Sequence, residues 1–324
     1  MSSVVHRGRR VSLRRMPVIL DVAIGHAPDD AAALAVAART LRLSLVLTSD
    51  EHDAQRSRLA RFLMDSMGRT RVPVVAGSEV PSGGDRWVCD GIVPDYIGPQ
   101  AGSVLDAVEW VLRNERQMVN WIVLGPATNL AAVLQQRPEL AGRLVVTWMG
   151  GALANSALGG ASHNIRIDPA SAVQVMRSGL DLSLVLADSV QSPEMFVDYS
   201  SGLYQALAGP GVAQWASVVR ECYDRYLRLE YPNSVLEAPL TVLAGAGIGL
   251  VSFADRHFTI GEDGQMRLTP HGDCRALLST SVDHAAYARG ISEMFQKLSV
   301  PRAIDSPDPS LLNVLAPTAP SSAR

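Results

Sequence analysis

Acidic residues cluster at the first junction between an apolar segment and an alanine-rich segment of the 324-residue chain. In the stretch DVAIGHAPDD, Asp21 follows the apolar run PVIL, and Asp29 and Asp30 open the segment DDAAALAVAA. Carboxylates beside a histidine, here His26, bind a cation or a polar ligand and exchange protons with it. Because like charges repel, at least one of these carboxylates is expected to have a raised pKa or a bound cation.

Short apolar runs alternate with helical patterns along most of the chain. Runs of strand length rich in Val, Leu and Ile are PVILDV, LSLVLT, VNWIVLG, RLVVTWMGG and LSLVLAD. This alternation predicts an α/β fold with a mainly parallel central sheet that is covered by helices on both faces. Ligands of such sheets bind at the carboxyl ends of the strands. Asp21, Thr48, Gly125 and residues 149–151 are expected at that edge.

The two ends of the chain differ in composition from the region between them. Residues 1–15 include the stretch HRGRRVSLRR, with five arginines and no acid, and no apolar signal-peptide segment follows it. We predict a disordered basic arm over 1–15, with nucleic-acid binding by this arm as the alternative. Residues 16–300 are predicted to form one domain. Residues 301–324, rich in Pro, Ser and Ala, are predicted to be a disordered tail, although the apolar run LLNVL is able to dock.

Charge, hydropathy and cysteine content restrict the class of protein. The formal net charge of −3 gives no general reason to bind nucleic acid. No apolar run reaches the ~18 residues that a membrane span needs. The three cysteines, Cys89, Cys222 and Cys274, are far apart in sequence, which is typical of buried thiols in a reducing compartment. These features predict a cytoplasmic protein with neither nucleic acid nor membrane as a partner. The acidic cluster at the strand end, rather than these bulk features, indicates a small-molecule ligand.

Four stretches, in this order, resemble motifs of the inosine/uridine-preferring nucleoside hydrolase family. They are DVAIGHAPDD, GPATNLA, WMGGAL and HNIRIDPASAVQVMRSG. The resemblance covers roughly residues 16–298 and implies the nucleoside hydrolase fold and cleavage of the N-glycosidic bond of ribonucleosides. It also implies one Ca²⁺ that binds two ribose hydroxyls and the attacking water, and a homodimer or homotetramer.

The resemblance assigns roles to individual positions of this chain. It implies that Asp21, Asp29 and Asp30 correspond to acids of the first motif and that Thr128 supplies a main-chain carbonyl to the metal. Asn164 corresponds to a ribose-contacting asparagine, and Glu237 stands where the family has a leaving-group histidine. The candidate catalytic residues are therefore Asp21, Asp29, Asp30 and Glu237. The candidate substrate-binding residues are His26, His52, Thr128, Met149, His163 and Asn164.

The chain also departs from the family pattern. Ala23 and Ala238 stand where the resemblance implies calcium-binding acids, and Ser162 stands where it implies a further acid. Because calcium takes six to eight oxygen ligands and its affinity follows the number of anionic ones, no tightly bound calcium is expected. Ala27 and Pro28 form an insertion before the acid pair.

Three functions are compatible with these departures. The first is a diverged enzyme that acts on a nucleoside-like or other small polar ligand in the family pocket without tightly bound calcium. The second is a catalytically inactive protein that binds a ligand or a partner protein. The third is an ordinary calcium-dependent ribonucleoside N-ribohydrolase.

Structural roles are the alternatives for several of these residues. Asp29 and Asp30 are also suited to the N-terminus of a helix, which favours negative charge. His52 and His163 reach the pocket only if the proposed correspondence holds, and Glu237 is compatible with a surface loop.

The expected assembly is testable without any ligand. Sedimentation velocity at micromolar protein concentration should give a species of twice or four times the 34.7 kDa chain mass. A single monomeric species over that range would contradict the assembly that the resemblance implies.

Overall fold

The computed structural model describes residues 4–6, 9–80, 86–155, 160–229, 231–301 and 307–315. Its strands are β1 (Val4–His6), β2 (Arg9–Val11), β3 (Val18–Val22), β4 (Leu43–Thr48), β5 (Val74–Val75), β6 (Val119–Val123), β7 (Leu144–Met149), β8 (Asp181–Val185), β9 (Phe196–Val197), β10 (Ser234–Val235), β11 (Val251–Ile260), β12 (Met266–Leu268) and β13 (Cys274–Val282). Its α-helices are α1 (Asp29–Thr40), α2 (Gln55–Ser66), α3 (Val104–Asn114), α4 (Thr128–Gln136), α5 (His163–Ile167), α6 (Pro169–Arg177), α7 (Gly202–Ala208), α8 (Gln214–Arg228), α9 (Glu237–Gly245) and α10 (His284–Leu298).

The central sheet is mainly parallel, which confirms the predicted fold class. Among the described residues it has nine strands in the order β12-β11-β13-β8-β7-β6-β3-β4-β5. Neighbouring strands are parallel over the part of the sheet with the order β13-β8-β7-β6-β3-β4-β5. At the other edge, β11 pairs with β13, and β12 with β11, in antiparallel fashion. The order reverses between β3 and β6, and loops that follow these strands meet at the carboxyl edge.

Helices pack on both faces of the sheet because successive strand side chains point to opposite sides. In β3, Val18, Leu20 and Val22 belong to one buried cluster and Ile19 to the other. The first cluster includes α1, α8, α9 and α10, and the second includes α3, α4 and α6. Every residue of α1 is buried, and its alanines allow the helix to approach α9 closely.

The segment before residue 16, predicted to be a disordered basic arm, is packed in part. Strands β1 and β2 pair with each other, and Leu13 is buried in a small cluster with Met16 and Val145. An apolar side chain at position 13 explains this contact, since its burial is favourable even within an arginine-rich segment. Residues 1–3 and 7–8 lie outside the described residues.

Part of the segment 301–324, predicted to be a disordered tail with docking of LLNVL as the alternative, is packed on the domain. Pro309–Leu315 form a 3-10 helix whose Leu311, Leu312 and Leu315 are buried against α1 and α10. The three leucines lie on one face of a helical turn, so the run LLNVL buries enough apolar surface to dock. Residues 302–306 and 316–324 lie outside the described residues.

No helix in the described part of the chain is both long enough and apolar enough to cross a membrane.

The docked segment should contribute measurably to stability. Leu312 is fully buried, and Asn313 beside it is exposed. Leu312→Ala should lower the free energy of unfolding by about 2–5 kcal/mol, because the truncation removes buried methyl groups and leaves a cavity. Urea denaturation measures this loss, with Asn313→Ala as the matched control that should be nearly neutral. Equal effects of the two changes would contradict the docking.

Candidate active site

A cleft of about 430 Å³ opens at the carboxyl edge of the sheet. Its volume lies within the usual range for small-molecule sites. The loops that follow β3, β4 and β7 contribute to its walls, together with α5, α8 and the start of α9. Seven of the residues predicted from sequence line it: His26, Asp29, Asp30, Met149, His163, Asn164 and Glu237.

The loop between β3 and α1 depends on Gly25. Its φ of +108° lies in the region that favours glycine, and a Cβ there would stand 2.1 Å from the Trp87 ring. The Val88 N–H donates to the Gly25 carbonyl at 2.9 Å. A glycine at this position therefore lets the segment around Trp87 cover the loop that carries His26.

Asp29 joins the start of α1 to the start of α9. Its Oδ2 accepts hydrogen bonds from the backbone N–H of Glu237, at 3.2 Å, and of Ala238, at 2.9 Å. Asp29 thus satisfies backbone N–H groups at the N-terminus of a different helix from its own while it lines the cleft.

Three carboxyl groups share this end of the cleft, and burial raises the pKa of each. The pKa of Asp29 rises to about 6, and the N–H groups of Ala238 and Glu237 limit the rise. The pKa of Glu237 rises to about 8 through burial and the nearby charge of Asp29. Burial, Asp29 and Glu237 raise the pKa of Asp30, whereas Arg56 lowers it. Glu237 is therefore a proton donor at neutral pH.

The buried guanidinium of Arg56 holds the loops of the cleft together. Its Nη1 donates to the carbonyls of Ile24, at 2.8 Å, and Ala23, at 3.1 Å. Its Nη2 contacts Asp50 Oδ2 and the Arg86 carbonyl, each at 3.2 Å, and its Nε donates to the Asp50 carbonyl. The arginine stands beside Ala23, where the family resemblance implied a calcium-binding acid.

Aromatic side chains form another wall of the cleft. The His26 ring packs edge-on against Tyr226, with centroids 5.6 Å apart, and Tyr226 stacks on Tyr231 at 4.4 Å. Burial, Arg86 and Arg56 lower the pKa of His26 to about 4, so its imidazole is neutral at pH 7. Neutral aromatic rings at this wall suit a flat, partly apolar ligand group.

Asn164 is positioned by main-chain carbonyls at the ends of two strands. Its Nδ2 donates to Leu124 at 2.9 Å and to Met149 at 2.8 Å. Both amide hydrogens are thereby used, which leaves the amide oxygen as an acceptor for a ligand hydroxyl.

Three predicted site residues are not among those that line the cleft. Asp21 is fully buried beneath it, accepts from Asn129 Nδ2 at 3.0 Å, and has a pKa raised by burial to about 7. Thr128 donates to Asp168 Oδ2 at 2.6 Å and so connects α4 to α6. His52 stacks on the outer Trp87 ring. Each lies near the predicted edge, but local hydrogen bonding or stacking engages its side chain.

Sequence reasoning missed several residues of the cleft. Arg56 belongs to an amphipathic helical run, in which arginines are expected to be exposed to solvent. Arg86 belongs to a Gly- and Pro-rich loop that carries no motif. Tyr226 is one of three tyrosines in and after a helical segment, and no motif there indicates a role for it. The burial of an arginine depends on distant carbonyls, which no local pattern reveals.

The family profile described as "Inosine-uridine preferring nucleoside hydrolase" matches residues 18–287. The chain belongs to this family. Among curated nucleoside hydrolases, it is similar to the pyrimidine-specific ribonucleoside hydrolase RihA of Enterobacter sp. strain 638. The two are 29% identical over 246 residues, which cover 70% of this chain and 78% of the relative.

Solved nucleoside hydrolase structures share the fold. The plant nucleoside hydrolase PpNRh1 superposes with a TM-score of 0.72 at 21% identity, covering 88% of this chain and 99% of that one. The purine-preferring ribonucleoside hydrolase from Gardnerella vaginalis gives a TM-score of 0.70 at 20% identity, with 87% and 99% covered.

The raised pKa of Glu237 makes stability depend on pH. A carboxyl whose pKa is raised on folding stabilises the protein below its unfolded pKa, and this contribution is lost as pH rises through the folded value. The free energy of unfolding of Glu237→Gln should therefore equal that of the wild type near pH 4.5 and be about 1–3 kcal/mol larger at pH 9. This difference is smaller than the full pKa shift implies, because Glu237 faces water in the pocket.

Urea unfolding of both proteins between pH 4.5 and 9 measures the difference. Asp29 and Asp30 are present in both proteins, and the exposed Glu262→Gln serves as the matched control with no such trend. A difference that stays constant across this range would contradict the raised pKa.

Proposed function

We propose that this protein hydrolyses the N-glycosidic bond of a nucleoside-like ligand without tightly bound calcium. The observation that carries the proposal is a set of three carboxyl groups in one cleft, the buried Asp29 and Asp30 and the half-buried Glu237, with separated proton affinities. Pairs of titratable groups whose surroundings shift their pKa values apart divide acid and base roles between them.

The cleft offers a place for each part of such a ligand. The acceptor oxygens of Asp29, Asp30 and Asn164 suit the hydroxyls of a pentose. The rings of His26 and Tyr226 suit a base, because aromatic faces and edges pack on a planar heterocycle.

The chemistry follows from the proton affinities. As the bond from the sugar to the base nitrogen breaks, protonated Glu237 gives its proton to the leaving nitrogen. Water attacks the anomeric carbon and passes a proton to Asp29, which is ionised at neutral pH because its pKa is about 6. Until it takes that proton, the Asp29 carboxylate also stabilises the positive charge that develops on the sugar ring. Asp30, whose pKa is raised well above its usual value, has an Oδ1 without a hydrogen-bond partner in the described structure and accepts from a sugar hydroxyl. The products are the free sugar and the protonated base.

The donor groups present support the absence of tightly bound calcium. Ala23 and Ala238 bring no side-chain oxygen, and Asp29 Oδ2 is occupied by two backbone N–H groups. Within the described residues there is no group of three or more His, Cys, Asp or Glu side chains that could hold a metal ion. These donors do not fit a shell of six to eight oxygens, and the Arg56 cation beside Ala23 disfavours another cation there.

A catalytically inactive binding protein is the second candidate. The engagement of Asp29 with the start of α9 favours it, because a carboxylate held for structural reasons persists without catalysis. The same cleft would then bind the ligand without turnover.

Hydrolysis of a panel of purine and pyrimidine nucleosides, with and without EDTA, tests the proposal. Turnover should survive EDTA and give a bell-shaped pH profile, with the acid limb at or above pH 6 and the alkaline limb near pH 8. Glu237→Gln and Asp29→Asn should each lower kcat/KM by about 10²-fold or more, because each removes a proton donor or a charge.

The matched control is Asp53→Asn, which changes an exposed loop acid outside the cleft and should leave kcat/KM unchanged. Retention of one calcium per chain with EDTA-sensitive turnover would instead identify an ordinary calcium-dependent ribohydrolase. Ligand binding without turnover of any nucleoside in the panel would favour the inactive binding protein.

A further inference from the structure

Arginine side chains gather on a different part of the cleft from the carboxyl groups. Arg56, Arg86 and Arg166 all line it. The charge of Arg56 is offset by Asp50 at 3.2 Å. Among the described residues neither Arg86 nor Arg166 forms a salt bridge, and the nearby Asp50 is already paired with Arg56, so positive charge exceeds negative charge on this part of the cleft.

Both unpaired guanidinium groups converge on the same imidazole. Arg86 Nη1 lies 2.9 Å from the His163 ring nitrogens, and Arg166 Nη2 lies 3.5 Å from Nδ1. A neutral imidazole has one acceptor nitrogen and no negative charge, so it cannot neutralise two arginines. Burial and the charges of Arg86 and Arg166 lower the pKa of His163 to about 4, which records the positive potential at this place.

The arginines lie next to the residue that suits the sugar. Asn164 follows His163 directly in α5, and Ser162 precedes His163. Ser162 is uncharged, and its Oγ accepts a hydrogen bond from the Gly151 N–H at 2.8 Å. The family resemblance implied an acid at position 162. At this place the chain therefore has a neutral hydroxyl together with two unneutralised cations.

We propose that the arginine-lined part of the cleft binds a phosphate monoester carried by the sugar, so that the ligand is a nucleoside monophosphate or a related pentose phosphate. This inference deepens the proposed function and rests on it for the location of the sugar. A phosphate monoester presents three acceptor oxygens and up to two negative charges, which match the N–H forks of Arg86 and Arg166. A neutral nucleoside would bring no anion to these two arginines, neither of which forms a salt bridge within the described residues.

Equilibrium binding to compounds without a glycosidic base separates this inference from hydrolysis. Isothermal titration calorimetry should show ribose 5-phosphate binding about tenfold or more tightly than ribose, since a charge-assisted hydrogen bond changes affinity by at least that factor. The preference should shrink as salt is raised from 50 to 500 mM, because salt screens exposed charges. Uridine 5′-monophosphate should likewise bind more tightly than uridine, and this preference should also shrink as salt is raised.

Two variants locate the phosphate. Arg86→Gln and Arg166→Gln should each reduce the preference for ribose 5-phosphate over ribose by about tenfold, because each removes a cationic donor to the phosphate. Arg289→Gln, which removes the same charge from an exposed position on α10 outside the cleft, should have no effect. If one cleft variant fails to fold, the other variant and the wild-type salt dependence still decide the question.

Three results would overturn the inference: equal binding of ribose and ribose 5-phosphate, inorganic phosphate binding as tightly as ribose 5-phosphate, or a preference that survives both arginine changes. Hydrolysis of nucleosides without any phosphate preference would refute this inference and leave the proposed function intact. Phosphate-dependent binding without hydrolysis of any nucleotide would support the inference and refute the proposed function.

Discussion

The cleft depends on one buried guanidinium. Arg56 is 2% exposed, and its five hydrogen bonds connect the loop after β3, the loop after β4 and the segment that begins at Arg86. Four of its acceptors are main-chain carbonyls, so the side chain satisfies polar backbone groups of all three segments. These three segments carry His26, Asp50 and Arg86, so the shape of the site depends on the hydrogen bonds that Arg56 makes to them.

Arg56 also stands between two electrostatic environments. Its charge lowers the pKa of Asp30 and also that of His26, although burial acts in opposite directions on an acid and a base. Burial thus removes the charge of Glu237 and of the His26 and His163 imidazoles at neutral pH, whereas the arginines of the cleft keep theirs. Under the proposed function, Arg56 supplies positive charge beside the position where the family resemblance implied a calcium-binding acid.

Features set by neighbouring residues in the chain could be predicted from the sequence, and contacts between distant residues could not. Strands such as β3 and β6 carry continuous apolar runs, so the parallel sheet and its carboxyl edge were predictable. The acid pair Asp29 and Asp30 was predictable from motif order. The burial of Arg56 was not, because its acceptors lie up to 33 positions away. Nor was the orientation of Thr128, whose hydroxyl bonds Asp168 across 40 positions.

The segment Pro309–Leu315 bears on where this domain ends. The family match stops at residue 287, inside α10, yet the buried cluster continues to Leu315. The Asp308 N–H donates to the Arg39 carbonyl near the end of α1, the helix whose first residues are Asp29 and Asp30. A gene fragment cut at the family boundary would therefore remove a support of the helix that carries the acid pair. The evolutionary unit that homology recognises is shorter than the unit that folds.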